Sequence, residues 1–116
     1  MLKNVNGKPV LKLEHAEQYN AWKKNLSASE FDAIVDEIDK LIDCSDGIFV
    51  TSWAKVDCDG PVFLPLAKAC GNDKKKSSLF FGLICRDIFI NRTEDWTFMK
   101  FKVDNKEYSM YFLPEN

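Results

Sequence analysis

His15 is the only histidine in the chain, so any nucleophile it could activate must be brought to it by folding. A hydrolase triad needs such a base beside a serine or cysteine. No G-x-S-x-G turn occurs, and no cysteine sits in a motif that marks a nucleophile. His15 therefore reads as a partly exposed structural histidine, and no catalytic residue is assigned. The cysteines, Cys44, Cys58, Cys70 and Cys85, are spaced by 14, 12 and 15 residues. Zinc sites draw ligands in close pairs, because a short turn aims two of them at one ion. This spacing reads as free thiols in a reducing compartment, with no metal and no cofactor.

The phosphate-binding patterns are absent, since all five glycines stand alone. Lys74-Lys75-Lys76-Ser77-Ser78 places lysines and hydroxyls at the start of a helix. Such an end can hold a phosphate, but a solvated loop explains the run as well. Asp57-Cys58-Asp59-Gly60 resembles the opening of a calcium loop, yet Lys68 stands where the bidentate glutamate is needed. It reads as a turn.

Arg86 and Asp87 interrupt an apolar run. Adjacent helical residues project about 100° apart, so the two do not face each other. Arg86 either binds a carboxylate of its own chain or lines a pocket with Trp53, Asp87, Asp95 and Trp96. The second alternative makes the chain a small-molecule binder or a small enzyme with an aromatic pocket.

Asp32, Asp36, Asp39 and Asp43 recur at i, i+4, i+7 and i+11 beside an apolar stripe. From Ser27 to Asp46 the chain carries seven acidic residues and one lysine, net −6, against −2 overall. Like charges one turn apart repel by a few tenths of a kcal/mol. The stripe is either a solvated face or a docking surface for a basic protein partner.

The elements that must carry these residues follow from periodicity. Asn6-Gly7 predicts a hairpin over 2–13, pairing Val5 with Lys8 and Leu2 with Leu11, with Pro9 on an edge strand. A helix is expected over about 14–26, with His15, Tyr19, Trp22 and Leu26 on one side. Ser27-Ala28-Ser29-Glu30 is a capping box opening a helix to about Cys44. Residues 48–56 read as a central strand, and 61–64 as a short return strand. Pro65 and Gly71 then suit the start and end of a helical turn. A buried helix is predicted over 77–90, where Gly82 suggests close approach of another backbone.

Asp104-Asn105 predicts a C-terminal hairpin in which Phe101 faces Tyr108, Phe98 faces Tyr111 and Trp96 faces Leu113. Both its faces are apolar. One carries Met99, Phe101, Tyr108, Met110 and Phe112; the other carries Trp96, Phe98, Tyr111 and Leu113. The second face is expected to need a cover, either the N-terminal segment, a second subunit or a ligand. Phe31, Ile38, Leu83, Ile84 and Phe101 are the expected core.

At 116 residues and 46% apolar composition, the chain fits a single α+β domain over 1–116 that buries a core without staples. The expected order is ββ-α-α-β(β)-α-ββ, an antiparallel sheet packed against three helices. No signal-peptide apolar segment and no run near the roughly 20 residues of a membrane span is present. The expected location is cytoplasmic. Net charge −2 argues against a dedicated nucleic-acid binder. The leading reading is a non-catalytic accessory protein acting by protein–protein contact. Its contact residues would be Asp32, Asp36, Asp39, Asp43, Trp96, Phe98 and Tyr111, with a homodimer favoured.

Overall fold

The longest helix organises the molecule because it is apolar on nearly every side. The computed structural model describes residues 1–114. The elements in chain order are β1 (Lys3–Asn4), α1 (Ala16–Lys23), α2 (Ala28–Asp43), β2 (Ile48–Val50), a 3-10 turn (Trp53–Lys55), α3 (Leu64–Ala69), α4 (Lys74–Asn91), β3 (Thr97–Val103) and β4 (Lys106–Phe112). Phe80, Phe81, Ile84, Cys85 and Phe89 of α4 are fully buried. The three phenylalanines meet different neighbours. Phe80 meets Tyr19 and Trp22 of α1 at ring separations of 5.8 and 5.5 Å. Phe81 meets Trp53 and Phe63. Phe89 stacks on Tyr111 of β4 at 4.0 Å and touches Phe49 and Trp96. The helix α2 adds Ile34, Ile38 and Ile42, all buried. Packed aromatic pairs contribute about 0.5–1.5 kcal/mol each beyond area burial, so α4 is where the fold concentrates its stability.

The α+β class holds, with corrections. There are four helices among the described residues, and the four-stranded sheet has the order β1-β3-β4-β2. It is mixed rather than antiparallel, because β1 runs parallel to β3. The C-terminal hairpin therefore occupies the centre. The segment expected as a central strand over 48–56 is the edge strand β2, which stops at Val50. Beyond it the chain coils into the 3-10 turn, which brings Trp53 against Phe63 and Phe81. Residues 61–63 form a turn that leads into α3 rather than a return strand.

One cap and one turn act as the sequence predicts. Ser27 accepts from the Glu30 N–H at 3.1 Å and Glu30 accepts from the Ser27 N–H at 2.8 Å, closing the capping box. Asp104 and Asn105 both take positive φ, and the β3–β4 register is the expected one, from Thr97–Phe112 to Val103–Lys106. The N-terminal hairpin is shifted by one residue. Lys3 pairs with Pro9, and the Val10 N–H donates to the Leu2 carbonyl. The Asn4 side chain accepts from the N–H groups of Asn6 and Lys8, which widens the turn to Asn4–Gly7. The shift turns Leu2 into the core and leaves Leu11 outside. Gly82 is crowded by no backbone: an added Cβ would meet only the Thr51 methyl at 3.9 Å.

Candidate functional site

The sheet has two unlike faces, and the strand register assigns each residue to one of them. Phe49, Phe98 and Tyr111 point inward onto α4, and Trp96 packs beside them against Phe89; all four are buried. This corrects the expectation that Trp96, Phe98 and Tyr111 form an interaction surface. Their cover is α4 of the same chain, and Leu113 at the end of that row is 38% exposed. The opposite face carries Ile48 and Val50 of β2, Met99, Phe101 and Val103 of β3, and Tyr108, Met110 and Phe112 of β4. Ile48, Val50 and Val103 are exposed and the other five are half-buried. Phe101, expected in the core, stacks on Tyr108 here. The expected core residues Ile38, Leu83 and Ile84 are buried, whereas Phe31 is half-buried beneath the Lys23 ammonium.

The acidic stripe is divided. Arg92, the residue that ends α4, donates to Asp39 Oδ1 at 3.1 Å and Asp43 Oδ1 at 2.9 Å, and also pairs with Glu94. Carboxylates in the last turns of α2 oppose the helix dipole, and this guanidinium offsets them. Asp32 and Asp36 are exposed nearer the other end of α2. The stripe is thus partly an internal clamp between α2 and α4.

The structure does not gather Trp53, Arg86, Asp87, Asp95 and Trp96 into one pocket. The Tyr19 hydroxyl donates to Asp87 at 3.0 Å, and burial followed by the Asp87 charge pushes the Tyr19 phenol up. Asp95 receives the Met1 ammonium at 3.0 Å, which holds its carboxyl below the usual range. Trp96 is core. Trp53 borders a separate cleft of about 530 Å³ with Leu64, Ala67 and Lys74.

Arg86 alone of the five lines a cleft of about 320 Å³ between the N-terminal half of α4 and the distal inner face of the β3–β4 hairpin. Its side chain is 11% exposed. The Nε–H donates to the Tyr111 hydroxyl at 3.4 Å, and Cζ lies 4.1 Å from the Phe98 ring centre. Burial pushes the Tyr111 phenol up to about 12, against the lowering effect of Arg86. Among the described residues Glu14 is the one carboxylate paired with the guanidinium, at 4.0 Å, and is itself 68% exposed. Lys75 and Ser78 of α4, Lys100 and Ser109 of the hairpin, and Thr51 line the same cleft. The Thr51 hydroxyl is buried beside the Cys85 thiol. Lys74, Lys75 and Lys76 open α4, whose first turn is capped by Asp73 accepting from the Lys76 N–H at 3.0 Å. The helix end is thereby occupied, and Lys75 and Ser78 look instead into the cleft.

Sequence reasoning missed Lys100, Ser109, Thr51 and Glu14. The signal for the first two was present in the hairpin register. They share a face with Phe98 and Tyr111, one step beyond the point at which the apolar pairs end. No protein-family model, curated protein or solved structure matches this chain. Among the described residues no helix is long and apolar enough to cross a membrane.

Proposed function

We propose that this chain is a non-catalytic binding protein that works by protein–protein contact, with the outer face of its sheet as the contact surface and a second copy of itself as the occupant. The observation that carries this reading is the apolar row from Ile48 and Val50 across Met110 and Phe112 to Met99 and Phe101, over which none of the four helices packs. Among the described strand residues only Lys3 and Lys106 bring charge to that face, at opposite ends of β3. A contiguous apolar patch on the order of 500 Å² is at the upper end for a monomer and marks contact sites. Methionines at such a surface adapt to the shape of what they meet.

A second copy suits the patch because a twofold contact requires one surface to complement itself. Two such patches bury about 1,000 Å² together, the lower bound for a specific interface. The association is therefore weak, with a dissociation constant on the order of 10–100 µM, because a small interface leaves little surplus over the entropy of association. The basic-partner reading of the acidic stripe is less favoured, since Arg92 already occupies Asp39 and Asp43.

Sedimentation velocity tests this directly. The weight-average mass should rise above the 13.4 kDa of the chain as concentration increases through that range. Val50→Lys with Met110→Lys should stay monomeric and keep its melting temperature. A monomer at every concentration, or self-association that survives the double substitution, would overturn the proposal.

A further inference from the structure

We infer that the Arg86 cleft is a binding site for a small organic oxyanion, a carboxylate or phosphate group carried on a molecule of modest size. This is independent of the outer sheet face. Neither Nη1 nor Nη2 of Arg86 donates a hydrogen bond to another described residue. A guanidinium presents five N–H donors in a fixed fork that matches a two-oxygen anion. A charge this deeply set is costly to leave without partners. The Tyr111 hydroxyl and the Phe98 ring support one edge and one face of Arg86, which leaves the terminal fork for a ligand.

A second observation points the same way. Lys100 from the hairpin and Lys75 from α4 add positive charge from opposite walls, and Ser78 and Ser109 add hydroxyls. The volume is at the lower end for small-molecule sites.

The rim sets the size and charge of the ligand. Glu107 pairs with Lys100 at 3.6 Å, and Glu14 stands 4.0 Å from Arg86. These two carboxylates repel an extended polyanion, so a nucleic-acid backbone or a charged membrane does not fit. A single small anion can instead take the place Glu14 now holds, because Glu14 is exposed in the segment before α1 and meets Arg86 only at 4.0 Å, beyond hydrogen-bond range.

Titration of the full chain followed by ¹⁵N–¹H NMR tests the site, with inorganic phosphate and succinate as separate probes in chloride buffer. Saturable shifts of the Arg86 Nε–H and of the Ser78 and Ser109 amides are expected with at least one probe. Glu14→Gln should tighten that binding roughly three- to ten-fold by removing a competing charge. Lys100→Gln should weaken it by a similar factor, and Arg86→Gln should weaken it about ten-fold or more. Since Arg86→Gln also removes support from Tyr111, the two exposed variants decide the matter if it fails to fold. Shifts that never saturate with either probe, or equal affinity in Glu14→Gln and Lys100→Gln, would overturn the inference. If phosphate alone saturates, the ligand carries a phosphate group; if succinate alone does, it carries a carboxylate.

Discussion

Arg92 shows how one side chain changes the meaning of four others. Asp32, Asp36, Asp39 and Asp43 are spaced for a continuous acidic face, but Arg92 closes on the last two while its own side chain is 16% exposed. Removing it leaves two carboxylates one turn apart at the unfavourable end of a helix. Arg92→Ala should lower stability by about 1–3 kcal/mol, and the difference should shrink as salt screens the freed charges. Urea unfolding at low and high sodium chloride measures both. A change under about 0.3 kcal/mol would mean the clamp is ornamental. The acidic spacing could be read in the chain, whereas its neutralisation could not, because Arg92 lies 53 and 49 residues beyond its partners. Arg86 was legible as a charge interrupting an apolar helix, yet its neighbours were not. Trp53, Asp95 and Trp96 were grouped with it by chemistry alone, and the fold sends each elsewhere.

Among elements, those fixed by local chemistry were legible and those fixed by distant packing were not. The capping box set the start of α2, and two residues able to adopt positive φ set the β3–β4 turn and its whole register. Residues 48–56 are rich in strand formers, but burying Trp53 against Phe63 and Phe81 ends the strand early. The parallel contact of β1 with β3 joins residues more than ninety positions apart, beyond the reach of any local pattern. Gly82 was misread for a related reason. Helical glycine suggested a crowded neighbour, while the structure offers room for a methyl group. Gly82→Ala should therefore raise stability by about 0.5–1 kcal/mol, the helix-propensity difference. A thermal melt that moves downward would show that the Thr51 methyl cannot accommodate the new group.

On the scale of the whole molecule, the two faces of the sheet decide what the chain can do. Alternation along the hairpin made it plain that both faces are apolar, and a single helix layer can cover only one. Which one it covers depends on where α4 lies, and that follows from Phe89 stacking on Tyr111 rather than from the hairpin itself. The result reverses the expected assignment. Trp96, Phe98 and Tyr111 hold the molecule together, and the methionine face is the one that α4 leaves uncovered. The most direct test is an isotope-filtered NOE experiment on a mixture of labelled and unlabelled chains at a concentration where they associate. Intermolecular contacts from the methyl groups of Ile48, Val50, Met99 and Met110 are expected. Contacts that arise instead from α2, or none from the sheet, would contradict the outer face as the contact surface.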